Sequence, residues 1–313
     1  VRVDIKLRLR WPVLTPMVRK LLVIIGPAAL GAGAVQFNLL ISTALAARFL
    51  PEGAVSYLYY ADRLNQLPLG LIGIGVGTAL LPALSRQLGA GNPQVALHTQ
   101  NRAIELVLLL TLPAAAALVV SAVPIISGLL EGGKFTAADS SATAAALAAF
   151  ALGLPAYVLI KVLTPGFYAR SDTKTPVRIA VASMIVNLVG NLLLIWPLAH
   201  VGIALSTALA AWVNAGALYV VLHKRGHFAI DARLRRTVWR LVVAALAMVG
   251  VLLALNPVIM GWMHGNIIVR GLGLGLLLSA GGIAYLASAF ALKAFSVADL
   301  RAQLTPRVEK FKL

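Results

Sequence analysis

The segment Tyr59-Tyr60-Ala61-Asp62-Arg63 places a guanidinium, a carboxylate and two phenols at the head of a run that is otherwise apolar as far as residue 85. Read as a helix from about Val55, it sets Arg63 roughly 12 Å inward from the outer end, below the headgroups if the run crosses a bilayer. A cation at that depth costs several kcal/mol unless it faces a partner or a wet cavity, on the order seen for membrane insertion. At helical spacing Tyr59, Arg63, Gln66, Gly70, Gly73 and Gly77 share one stripe, polar at the outer end and small toward the inner end. Two readings fit. The stripe is a helix-packing groove in which Asp62 and Arg63 pair, or it is a cavity wall presenting a cation to an anionic substrate. For the second, Arg suits phosphate because its planar fork donates paired hydrogen bonds.

Lys161 is the other ionisable residue inside an apolar run, on a face with Tyr157, Thr164 and Tyr168. It either meets substrate or an ion-pair partner, or it snorkels to the nearby end of its helix. Pro165, four residues on, predicts a kink or stop that frees carbonyls around it. An uncharged set follows: Asn187 and Asn191 at i, i+4, Thr207 and Asn214 at i, i+7, and Gln36 and Thr43 at i, i+7. Oxygens from three helices could converge on Na⁺, so Thr43, Asn187, Asn191 and Thr207 are candidate cation ligands; interhelical hydrogen bonding is the competing reading, and no carboxylate accompanies them. Gly73, Gly75 and Gly77 do not make a phosphate loop, since no strand precedes them. His98, His200, His223, His227 and His264 lie scattered in connections, and no cysteine is present. No catalytic set of nucleophile, base and acid emerges, so the expectation is a non-enzymatic protein without metal or cofactor.

The elements that must position these residues are membrane helices. A mean hydropathy of +0.90 with 12% charged residues over 313 positions is far from a soluble domain. Apolar runs near 21–49, 54–85, 103–130, 141–166, 177–198, 200–222, 238–260 and 267–292 each suffice to span about 30 Å of hydrocarbon. The fold class is therefore an all-α polytopic bundle of about eight helices, with a tight helical hairpin at 198–201. The net charge of +17 is topological, so nucleic acid is not a partner. Of the 27 Lys and Arg, 22 fall in alternate connections and at the ends; the opposite side holds Arg48, Arg63, Lys134 and Arg270. That split puts both termini in the cytoplasm. The basic clusters are retained by the inner leaflet or bind its anionic headgroups. The opening Val1 to Arg10 shows no signal-peptide pattern, and the chain reads as part of something longer.

Several segments in order carry a family likeness: Gly26-Pro27-Ala28, Gln36-Phe37-Asn38, Tyr59 to Leu64, Leu67-Pro68-Leu69-Gly70 and Gly77 to Pro82. Gly133-Lys134-Phe135-Thr136, Lys161 to Arg170 and Lys174-Thr175-Pro176-Val177 continue the series. Together they resemble the MurJ (MviN) family, bacterial lipid II flippases of the multidrug/oligosaccharidyl-lipid/polysaccharide exporter superfamily. The resemblance implies the second half of a fourteen-helix fold. Its parts are a basic segment 1–20, a six-helix lobe 21–222, a basic linker 223–237, two further helices 238–292 and a cytoplasmic tail 293–313. It further implies alternating-access transport of an undecaprenyl-pyrophosphate-linked peptidoglycan precursor across a bacterial inner membrane. Lipid II and the membrane are then the partners, with cell-wall synthesis proteins as further ones. Arg63 matches the family's cavity arginine, with Asp62, Tyr59, Gln66 and Lys161 as substrate-contacting candidates. Coupling to Na⁺ or to membrane potential is implied as well. The alternatives are a carrier of another polyprenyl-linked glycan or an amphipathic drug, a membrane-embedded polyprenyl-phosphate enzyme with Asp62 as its acid, or a scaffold.

Overall fold

The computed structural model describes residues 15–263 and 265–294. These form α1 (Pro16–Phe49), α2 (Ala54–Gly89), α3 (Pro93–Val120), α4 (Ala122–Leu130), α5 (Ala137–Ala151), α6 (Leu154–Tyr168), α7 (Lys174–Lys224), α8 (Ala232–Trp262) and α9 (Ile267–Ala291). No named strand occurs among the described residues. Most of the basic opening segment and C-terminal tail, and His264, lie outside them.

Local chemistry sets the starts. Thr15, Asp231 and Asn266 cap α1, α8 and α9 by accepting the N–H groups of Val18, Leu234 and Val269. Thr136 and Asp139 form a reciprocal capping box at α5. Gly53 precedes α2 at φ 93°, a left-handed conformation that favours glycine.

Among the described residues, six helical stretches are long and apolar enough to cross a membrane, α5 and α6 counting as one and α7 as another. A straight helix of α7's 51 residues would reach about 77 Å, more than twice the hydrocarbon thickness. It instead reverses at Ala199 (φ 49°, ψ −130°). Its arms pack antiparallel: Asn187 bonds Thr207 at 3.1 Å, and a Cβ on Gly202 would stand 2.2 Å from the Leu194 carbonyl oxygen. This is the hairpin expected at 198–201, closed by a glycine contact that nothing larger fits.

Two apolar runs prove broken. The 103–130 run divides at Ser121 and the 141–166 run at Leu152-Gly153. A broken helix in hydrocarbon leaves carbonyls that must be satisfied by protein. At the first break Asn256 of α8 donates to the Val120 carbonyl (2.9 Å) and accepts from Ser121 (3.0 Å). At the second, Trp212 of α7 donates to the Leu152 carbonyl (2.9 Å), and Gly153 is needed because a Cβ would meet Ala208 Cα at 2.8 Å. Helix α6 runs through Pro165 to Tyr168, with Gln100 of α3 donating to the Val162 carbonyl at 3.1 Å. The helix therefore does not stop at Pro165.

The main apolar core joins α2, α3, α6, α8 and α9 through residues such as Leu80, Val107, Val162, Leu241 and Leu277. Small residues bring α8 and α9 close: a Cβ on Gly281 would stand 2.8 Å from Leu252 Cδ2.

Candidate functional site

Helix α2 carries the polar stripe on an open face. Tyr59, Arg63 and Gln66 are exposed. The Arg63 guanidinium lies 5.0 Å from the centroid of the Tyr59 ring, a cation–π contact that fixes its direction. Gln66 stands between the two charges: Arg63 Nη1 donates to its Oε1 at 3.5 Å, and its Nε2 donates to Asp62 Oδ2 at 2.5 Å. No ion pair joins Arg63 to a carboxylate among the described residues. The direct Asp62–Arg63 pairing that a packing groove would use is therefore replaced by an amide relay, which leaves the guanidinium fork free for an anion.

The glycines discriminate further between groove and cavity wall. A Cβ on Gly70 or Gly77 would meet nothing within 4 Å among the described residues, so no described side chain packs against these two positions. At Gly73, in contrast, it would meet Lys161 Cδ at 2.7 Å. Lys161 thus crosses from α6 to lie on α2, and its stem uses the missing side chain of Gly73. Ten residues separate Arg63 from Gly73, about 15 Å along the helix. The structure brings the two cations onto one α2–α6 wall at two depths.

The uncharged set resolves into a hydrogen-bonded clamp. Asn191 Nδ2 donates to Ser42 Oγ of α1 and to Asn187 Oδ1, both at 3.0 Å. Asn187 in turn donates to Thr207, whose hydroxyl donates to the Ile203 carbonyl at 2.9 Å. Ser42 reaches the cluster; Thr43, its neighbour, is exposed, as is Gln36. Asn214 lies apart, lining a cavity of about 210 Å³ with Asn38, Tyr157, Ser183 and Thr207. No group of three or more His, Cys, Asp or Glu able to hold a metal occurs among the described residues. Amide hydrogens point into the clamp, so most of its oxygens are occupied as acceptors; Asn191 Oδ1 alone is buried without a partner. This geometry fits interhelical bonding better than a shell of oxygen ligands around a cation.

Sequence reasoning passed over one charged cluster. Glu105, nearly buried in α3, bonds Arg102 at 2.5 Å and Arg233 of α8 at 3.4 Å, while Arg102 also pairs with Asp231. Arg102 and Arg233 had registered only as topological charges, because their acids are far away in sequence or lie inside an apolar run. Asn65 and Tyr157 each bury an oxygen that has no partner among the described residues, beside Asp62 and Lys161 in sequence. Only packing reveals such groups.

The long apolar helices define a multi-pass membrane protein. The chain superposes on an outward-facing multidrug resistance MATE family transporter of the MOP superfamily with a TM-score of 0.53, at 19% identity over 85% of this chain and 62% of the other. It superposes on lipid II flippase MurJ in an inward closed conformation with a TM-score of 0.70, at 24% identity over 91% of this chain and 57% of the other. The family model described as lipid II flippase MurJ matches residues 1–273. The probable lipid II flippase MurJ of Rhizobium tropici is 47% identical over 80% of this chain and 47% of its own length. That of Vibrio cholerae is 38% identical over 92% of this chain and 54% of its own length. The chain belongs to the MurJ family, and it spans about half the length of the curated relatives it matches.

Proposed function

We propose that this chain supplies one half of a lipid II flippase, which carries the undecaprenyl-pyrophosphate-linked precursor from the inner to the outer leaflet of a bacterial inner membrane by alternating access. Residues 21–222 act as a six-helix lobe, 223–237 as a basic linker and 238–292 as two added helices. Both termini are cytoplasmic in this reading, which the 22-of-27 charge split supports. The observation that carries the reading is the Arg63 guanidinium, held by Tyr59 on an open face and not neutralised by a carboxylate. Pyrophosphate is the complementary group, and Lys161 gives a second cationic station on the same wall. The relatives' names support the cargo, and the rest of their length would supply the facing wall. The protein makes no covalent bond in this account.

Coupling through the membrane potential fits better than a bound Na⁺, given the inward amide hydrogens around Asn187, Asn191 and Thr207 and the absence of a carboxylate there. The test is complementation of cells depleted of their own flippase by the full-length protein. Rescue of growth by the wild type but not by Arg63→Ala supports the reading. A drug exporter fails to rescue in either form, and an enzyme reading gains if Arg63→Ala stops synthesis of lipid II on the inner face.

A further inference from the structure

A second apolar feature lies away from the Arg63 face. Helices α3, α6, the second arm of α7 and the start of α8 enclose a cleft of about 720 Å³, lined by residues such as Leu108, Leu163, Gly216 and Tyr219 and ending at Asp231 and Arg235. Its walls are almost wholly apolar, and one end is charged. Along α7 the lining runs from Trp212 to Tyr219, about 10 Å of helix, and it continues past the helix end through Phe228 to Asp231 and Arg235. The charged end falls in the basic 223–237 connection.

The charge at that end is free to bind. Asp231 sits one turn before Arg235 and would be its natural partner. Its carboxylate is already used: Oδ1 accepts the Leu234 N–H at 2.6 Å, and Oδ2 pairs with Arg102. Arg235 is exposed and has no ion pair among the described residues. Trp239, one turn further on and 70% exposed, is a side chain of the type that sits at the headgroup level. An apolar slot with a spare guanidinium at its charged end and a headgroup-type Trp one turn away matches a single class of occupant.

We infer that this cleft binds an anionic glycerophospholipid of the cytoplasmic leaflet, with one acyl chain along α7 and its phosphate on Arg235. The site is separate from the cargo wall, and its occupant does not depend on which polyprenyl-linked cargo the protein carries.

Gly216 offers a clean block, since a Cβ there would meet no protein atom within 4 Å. The full-length protein is released from bilayers of equal phosphatidylglycerol and phosphatidylcholine, and retained lipid is counted by native mass spectrometry. The wild type should retain phosphatidylglycerol over phosphatidylcholine by at least fivefold. Arg235→Gln should abolish that preference, and Gly216→Leu should remove the retained lipid of either headgroup while leaving the thermal transition unchanged. A photo-crosslinker at position 216 should yield lipid adducts. Undiminished lipid on Gly216→Leu, an unchanged preference in Arg235→Gln, or adducts to a second polypeptide would each overturn the assignment.

Discussion

At the scale of single residues, Tyr59 orients the Arg63 guanidinium, and no carboxylate among the described residues neutralises it. Replacing Arg63 by Lys keeps the charge and loses the planar fork and its stacking on Tyr59. Transport should fall about tenfold for Arg63→Lys, corresponding to roughly 1.4 kcal/mol, and further for Arg63→Ala, as read by growth rescue in depleted cells. Gly70 tests the open face directly. Since a Cβ there meets nothing, Gly70→Leu should leave the melting temperature of the purified protein within about 2 °C while reducing transport; a large loss of stability would mean that the stripe is a packing groove. The cationic residues were legible in the sequence because an ionised group in a 20-residue apolar run is conspicuous. What Arg63 contacts was not: the amide relay through Gln66 and the seat of Lys161 on Gly73 depend on side-chain directions and on helices far apart in sequence.

The elements are held by polar clamps and missing side chains. Asn191→Leu removes one interhelical bond, from α7 to Ser42 of α1, and the i, i+4 bond to Asn187 in the same arm of α7. At about 0.6–1.7 kcal/mol for an interhelical bond, it should lower the unfolding transition by an amount measurable in detergent. Wild-type stability should not respond to exchange of Na⁺ for choline; stabilisation by Na⁺ would restore the cation-site reading. Gly202→Ala drives a Cβ into the Leu194 carbonyl, so the hairpin cannot close and folded yield should collapse. At the turn before α7, burial alone raises the pKa of Asp172. Hydrogen bonds from Thr175 and Arg225 and the Arg225 charge outweigh this and bring it down to about 2. A lowered carboxylate contributes stability above its unfolded value near 4, and that contribution is lost as pH falls toward 2. Hydrogen exchange around Thr175 and Arg225 should quicken across that window, and Asp172→Asn should flatten the response. The sequence located the apolar runs and the hairpin by length and spacing. It missed the breaks at Ser121 and Gly153 because hydropathy does not register a carbonyl rescued by Asn256 or Trp212.

For the whole molecule, the chain is, on the proposed reading, one wall of a transporter. Its α2–α6 face presents cations at two depths and glycines with open space before them, and on that reading a second wall faces it. In the proposed orientation, Arg63 lies toward the outer leaflet and the basic linker toward the cytoplasm. Full-length protein is therefore the object of the decisive measurement: the leaflet distribution of lipid II in intact cells, read with an impermeant probe of its head group. With the wild type, lipid II should be accessible outside. With Arg63→Ala at equal protein level, outer-leaflet lipid II should drop at least tenfold while the inner pool rises. An unchanged outer-leaflet pool in the Arg63→Ala cells would contradict the central claim that this guanidinium carries the pyrophosphate across.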